Sequence, residues 1–328
     1  MPLVHRRRVL RTGLGLVGAA IGARIPFTSY IASAQTTATI RVGVPTWIGY
    51  GAVYIGREKG LFSGLNVEAR RSDDSNVFNA AMLRGELDAY CTTLDTHVIA
   101  AAGGVPGKVV YLFDESAGAD GILVKAGINS LADLKGKSIA AQTGFPNHFF
   151  LLHLMKSAGI GPSQYKHINL DSDKAGAAFV SGKLDAAVTW EPWLSQARDQ
   201  GKGKLLATTR EHPGVLVDAL IANPVSLNRR ASEMKALVSG LIKAVEFWKA
   251  NPAEGNAIVG RHFSLAPEVV ADMVTGVRFI DHETNRQYLA PNGRASQTMA
   301  TAVGIWRDAK LIKKVPELSN AVSDELVK

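Results

Sequence analysis

The residues of this chain that could do chemistry make binding sets, not a catalytic set. Trp47 and Tyr50 lie in a loop after a short apolar run, and Trp190 and Glu191 follow another such run. Aromatic side chains at such places can stack on a flat or apolar ligand and supply one polar handle. Gln142, Thr143 and Asn147 precede or open a helical stretch, where free backbone N–H groups can hold an anion or a carbonyl oxygen. Asp74 and Ser75 suit either a helix cap or a ligand contact. Thr93 and Asp95 follow a third apolar run, and Asp218 precedes a fourth. These twelve residues are the candidate ligand-binding set. Its carboxylates, once desolvated, need a cation or a strong N–H donor.

The motifs of enzymes and metal sites are missing from the sequence or misplaced in it. There is no G-x-S-x-G, no H-E-x-x-H and no pair of histidines at metal-ligand spacing. A single cysteine, Cys91, excludes a cysteine-based zinc or iron–sulfur cage, and it reads as a small buried strand residue. Gly13-Leu14-Gly15-Leu16-Val17-Gly18 has dinucleotide-site spacing, but arginines precede it where a strand is required. Gly136-Lys137-Ser138 lacks the first glycine of a phosphate loop, because position 131 is Leu131. No catalytic residue, metal or cofactor is expected. Asp114, Glu115 and Asp120 form an acidic group that reads as solvated or salt-bridged.

The elements that must position the set are duplicated. Strand-like runs at Ile40–Val44, Val67–Arg71 and Leu87–Thr92 alternate with helical runs at Ala52–Leu61 and Val77–Arg84. About 97–99 residues later come strands at Ser138–Gln142, Tyr165–Leu170 and Leu184–Thr189, with helices at Asn147–Ala158 and up to Ser181. The match is closest between Gly85-Glu86-Leu87-Asp88-Ala89 and Gly182-Lys183-Leu184-Asp185-Ala186. Two strand–helix–strand–helix–strand copies imply two parallel-sheet α/β lobes around a ligand cleft. Strand carboxyl ends face the crevice where open α/β sheets bind ligands. Val109–Asp114, Gly121–Lys125 and Ala219–Ala222 read as strands crossing between lobes. The expected division is 38–117 with 224–328 for the first lobe and 118–223 for the second. Helices at Ser232–Lys249, Pro267–Val274 and Ser296–Ala309 are expected to return to the first lobe.

Local motifs in order resemble the solute-binding proteins of nitrate/sulfonate/taurine-type ABC importers, a family that also holds thiamine-precursor pyrimidine binders. They are Trp47-Ile48-Gly49-Tyr50-Gly51 with Glu58-Lys59-Gly60-Leu61-Phe62, then Gly118–Val124, Asp133-Leu134-Lys135-Gly136-Lys137, and Val188-Thr189-Trp190-Glu191-Pro192-Trp193. The resemblance implies a type II periplasmic-binding-protein-like fold. It also implies delivery of a small-molecule ligand to an ABC permease and its ATPase, and no enzymatic activity. The rivals are a pyrimidine-biosynthesis-like enzyme on the same fold and a ligand-sensing periplasmic protein. For the ligand, the excess of carboxylates over basic residues at the strand ends favours a nitrogen-bearing organic solute. Nitrate or an aliphatic sulfonate is the alternative.

Composition fits this class. The 328 residues are 46% hydrophobic and 20% charged, ordinary for a globular chain. Of the net charge of +8, five units sit on Arg6, Arg7, Arg8, Arg11 and Arg24, leaving +3 for the rest. That is no nucleic-acid footprint, and a monomer is expected. Residues 1–34 read as an export signal: a basic run, a modestly apolar Gly-rich stretch, then Ala32-Ser33-Ala34. Arg6-Arg7-Arg8-Val9-Leu10-Arg11 resembles the twin-arginine pattern. No cysteine follows, so a periplasmic protein without a lipid anchor is expected. N-terminal sequencing of the exported protein should begin at Gln35, and replacing Arg6 and Arg7 by Lys should block export by the twin-arginine route.

Overall fold

A computed structural model describes residues 37–200 and 203–328. The leader and its cleavage site lie outside the described residues. The described chain from Thr37 onward is one compact unit. Its strands are β1 (Ala38–Val44), β2 (Leu65–Arg71), β3 (Ala89–Thr93), β4 (Lys108–Ser116), β5 (Asp120–Val124), β6 (Ser138–Ala140), β7 (Lys166–Ile168), β8 (Ala186–Trp190), β9 (Lys204–Thr208), β10 (Val217–Ala222) and β11 (Val277–Phe279). Its helices are α1 (Gly51–Glu58), α2 (Ser75–Leu83), α3 (Leu94–Ala102), α4 (Pro146–Ser157), α5 (Ser172–Val180), α6 (Trp193–Asp199), α7 (Pro224–Arg229), α8 (Ala231–Ala250), α9 (Pro252–Phe263), α10 (Pro267–Val274), α11 (His282–Leu289) and α12 (Arg294–Asp308). None is long and apolar enough to cross a membrane.

The strands form two sheets with matching order. The first runs β11-β4-β10-β3-β1-β2 and the second β7-β6-β8-β5-β9. In each, three strands are parallel: β2, β1 and β3, or β7, β6 and β8. An antiparallel strand joins them, β10 on β3 and β5 on β8. The registers carry the duplication: Val42 faces Ala89, and 97 residues on, Ile139 faces Ala186.

The repeated aspartate explains the sequence echo. Asp88 accepts the Arg41 backbone N–H at 2.9 Å, and Asp185 accepts that of Ser138 at 2.9 Å. The backbone replies in both copies, with Asp88 N–H on Arg41 O and Asp185 N–H on Ser138 O. Each carboxylate therefore locks the first parallel strand of its sheet to the chain entering the third. The preceding Gly85 and Gly182 both have positive φ, 68° and 80°, which a residue with Cβ adopts at a cost.

One expectation is corrected. The second lobe does not extend to 223. β10 pairs with β3 and β4, so residues 217–222 belong to the first sheet. The return crossing lies between β9 and β10. An apolar run bounded by polar turns shows a strand but not its sheet, and here the antiparallel ladder decides it.

Helix α8 buries Leu237, Val238, Leu241, Ala244, Val245 and Trp248 along one face, the spacing of an amphipathic helix. It packs on α1, β1 and β2, as expected for the first lobe. Helix α12 instead touches both α3 and α4. Its Trp306 donates to the backbone oxygen of Asp95 at 2.9 Å and packs on Phe149 with ring centroids 5.2 Å apart. It thus ties a helix of the first sheet to one of the second.

Asp88 is nearly inaccessible and also takes Arg41, Arg230 and Ser226. Asp185 is one-third exposed. Asp88→Ala should cost about 2–4 kcal/mol, because it strands buried donors, and Asp185→Ala about 1 kcal/mol. Urea unfolding of the two variants checks the ordering.

Candidate functional site

A cavity of about 640 Å³ lies between the two sheets, at the carboxyl ends of their parallel strands. After β1 it is lined by Thr46, Trp47 and Tyr50, after β2 by Ser72–Asn76, and after β3 by Thr93 and Thr96. The second sheet contributes Gln142 and Phe145 after β6, Asp171–Asp173 after β7, and Trp190 and Trp193 around the end of β8. Asp120 and Asp218 come from the strands next to the crossings. The duplication thus places equivalent loops on opposite walls.

Four helices start at the cavity. Their N-caps are Asp74 for α2, Thr93 for α3, Phe145 for α4 and Asp171 for α5. All four cap residues line the cavity. Helix N-termini carry partial positive charge and free N–H groups.

The aspartates divide into an exposed rim and a buried floor. On the rim, Asp73 accepts the Thr46 backbone N–H at 2.6 Å and its hydroxyl at 3.0 Å. Asp74 accepts the Asn76 N–H at 2.9 Å, and Asp171 pairs with Lys174. On the floor, Asp120 and Asp218 are each 3% exposed. Asp218 accepts the Tyr50 hydroxyl, and behind it Asp114 accepts the Trp47 indole N–H at 3.1 Å. Gly49 permits this arrangement, since a Cβ there would lie 1.8 Å from an Asp114 carboxylate oxygen. Burial pushes the Asp120 carboxyl up to about 7, against a hydrogen bond from Ser116. Burial, then the neighbouring Asp114, raises Asp218 well above the ordinary carboxylate range.

Of the candidate set, Trp47, Tyr50, Asp74, Ser75, Thr93, Gln142, Trp190 and Asp218 line the cavity. Four candidates do not. Asn147 is fully buried and spends its amide on Ser172 Oγ and Val188 O, both at 3.1 Å, so it pins α4 to the sheet. Glu191 turns to the start of α6, where it accepts the Ser195 N–H at 3.1 Å and its hydroxyl at 2.7 Å. The Thr143 N–H is taken by Asn169 at 2.8 Å. Asp95 lies in the first turn of α3, 1% exposed, with the Thr96 hydroxyl on its carboxylate at 3.3 Å; burial pushes it up to about 7.

The acidic group of the first crossing, between β4 and β5, is also corrected. Asp114, Glu115 and Asp120 are all buried, and of these only Glu115 meets arginines, Arg278 and Arg294. Strand burial overrides the polar character of the run. Phe78, Tyr90, Asp171 and Ser172 were missed as lining residues. The last two were visible as the counterpart of Asp74-Ser75 in the second copy. Cys91 is buried as expected, yet it also borders the cavity. Among the described residues, no cluster of three or more His, Cys, Asp or Glu could hold a metal.

The model of NMT1/THI5-like proteins matches residues 47–255, well over half of the chain. The chain belongs to the NMT1/THI5-like family. The taurine-binding periplasmic protein of Escherichia coli is 27% identical over 194 residues, spanning 58% of this chain and 60% of that protein. Two solved structures share the fold. The periplasmic aliphatic sulphonate binding protein of Escherichia coli superposes with a TM-score of 0.75 at 18% identity, covering 88% of this chain and 99% of that one. The periplasmic nitrate-binding protein of Synechocystis PCC 6803 does so with a TM-score of 0.65 at 14% identity, covering 86% and 92%. This NMT1/THI5-like chain therefore has the two-sheet periplasmic-binding-protein fold.

The buried acids predict how stability depends on pH. Asp95, Asp120 and the Asp114–Asp218 pair bind protons more tightly folded than unfolded, so stability falls as pH rises toward and past 7. His97 and His148 are driven by burial down to about 4 and about 3, and they oppose the trend only below about pH 6.5. From pH 6.5 to 8 the loss should reach about 2 kcal/mol, with a visible fall in Tm for the ligand-free protein. Asp120→Asn should flatten the fall.

Proposed function

We propose that this protein is the solute-capturing component of an ABC importer, acting in the periplasm and carrying out no chemistry. One observation carries the reading. A cavity of about 640 Å³ between two chain-linked sheets draws its walls from both. A ligand touching both walls stabilises the approach of the lobes, and that closed form would be offered to a permease and its ATPase. Such closure follows only from contacts made better in the closed state. The family membership and the names of the relatives support the same role.

The lining also bears on ligand class. Among the described residues it holds seven aromatics, six aspartates, and no Lys, Arg or His. We assign the ligand as a small organic solute with a protonated nitrogen and a flat or apolar face. Trp190 and Phe145 would face it from the second sheet, with Trp47, Tyr50 and Phe78 from the first. An anion would have to sit over two buried carboxyls with only helix N-termini to hold it. Those N-termini, together with the unpartnered indole N–H of Trp190, are the observations that favour a sulfonate or nitrate instead. Taurine carries both charges, so the relative's name leaves the choice open.

A thermal-shift screen of the exported protein with amines, amides, pyrimidines, sulfonates and nitrate tests this, because a solute that binds only the folded form raises Tm. Nitrogen-bearing aromatic solutes are expected to raise it. Trp190→Ala should weaken the best of them by about 1–3 kcal/mol and leave the fold intact, since Trp190 is half-buried at the cavity wall. Trp47→Ala is the less clean probe, because it strands Asp114. A folded protein whose Tm responds to no class of solute would remove the capture role.

A further inference from the structure

Asp114 and Asp218 are cross-strand partners on β4 and β10. Both are buried, and only Asp218 reaches the cavity. Each accepts one donor from the segment after β1, the Trp47 indole N–H for Asp114 and the Tyr50 hydroxyl for Asp218. The second oxygen of Asp114 has no donor. The two carboxyls thus face each other across the β4–β10 ladder with no cation between them. Two neighbouring carboxyls in a dry site do not both ionise.

The groups facing the pair are few. β3 brings the neutral Cys91, β5 brings Asp120, and α3 brings Asp95. From β4 itself come Tyr111, held neutral, and Glu115, whose charge is met by Arg278 of β11 and Arg294 of α12. Every uncompensated charge near the pair is therefore negative. Asp120 also lines the cavity, and burial raises its carboxyl in the same way. The floor is short of positive charge on the side open to a ligand.

We propose that the Asp114–Asp218 pair holds one proton in the ligand-free protein, and that the ligand's ammonium or protonated ring nitrogen takes its place at Asp218. The ligand then binds as a cation while one proton leaves to solvent. Specificity follows from this exchange. A neutral solute cannot displace the proton, and an anion would instead draw a further one in. The inference rests on the solute-capture reading and names the charge and the seat of that solute.

The probe is benzylamine, with benzenesulfonate as a ring-matched anion. Calorimetry in two buffers of different ionisation heat counts the protons exchanged. For benzylamine we expect release of about one proton, and affinity rising about tenfold per pH unit for as long as the free pair keeps its proton, then levelling off. Asp114→Asn removes the neighbouring acid while burial still favours a proton on Asp218, so the pH at which affinity stops rising should move down. A merely structural role for Asp114 would not move that pH. Asp218→Asn should abolish binding. If Asp114→Asn does not fold, the proton count on the unaltered protein decides alone. Benzylamine binding without proton release, or no binding at millimolar concentration at pH 8, overturns the exchange. So does benzenesulfonate binding that tightens as pH falls, although that result leaves solute capture standing. A protein that binds no solute at all overturns capture itself.

Discussion

The antiparallel strand in each sheet is the constraint on which the rest depends. β5 and β10 enter their sheets only because the chain crosses from one sheet to the other next to them. Asp120 opens β5 and Asp218 is the second residue of β10, so both stand where these strands border the cavity. Both carboxyls are nonetheless buried. A polar side chain is kept in such a place against a desolvation cost of several kcal/mol unless it finds a partner. Tyr50 and Trp47 supply part of that partnership, and their loop is held by Gly49 lying against Asp114.

Much of the fold was legible because it is written twice. The spacing between copies reappears as strand register, and the Gly-x-Leu-Asp-Ala echo reappears as two carboxylates gripping equivalent backbone N–H groups. Those are local signals repeated, so one copy supports the other. The sheet to which β10 belongs was not legible, since a strand adjacent to a crossing has the same apolar pattern in either sheet. Helices α9 and α11 were also absent from the reading. Pro252 opens the first and Asp281 caps the second, but few apolar side chains are buried on either: Ile258 and Val259 on α9, and Leu289 on α11.

The candidate site was legible to the loop and not to the atom. Strand ends place a residue near the crevice, and eight of twelve candidates line it. They do not say which way a side chain turns. Asn147 and Glu191 show why: each stands at a helix start, where orphan N–H groups and neighbouring carbonyls compete for polar side chains. Glu191 satisfies α6, and Asn147 satisfies Val188 of the central strand β8 and Ser172. Asp120 failed in the opposite direction. Its neighbours Asp114 and Glu115 suggested a solvated or salt-bridged cluster, whereas β4 is covered on both faces, so even these consecutive acids are buried, and Asp120 with them.

The geometry also links charge at the floor to movement of the sheets. Asp218 and Asp120 stand beside the two crossings, and the Ser116 hydroxyl reaches Thr209 of the return crossing at 2.7 Å. Asp95, the other acid near them, has its backbone oxygen held by Trp306 of α12, the helix that also packs on α4. A charge placed on the floor therefore acts on the same elements that set the relation between the sheets. Rim contacts such as Asp74 and Asp171 act differently. They cap helices of opposite walls and are screened by solvent. Charge recognition belongs to the floor and shape recognition to the aromatic walls, and only the first is coupled by short contacts to the crossings. That division follows from the topology: duplication makes the walls alike, while the crossings, each made once by the chain, make the floor.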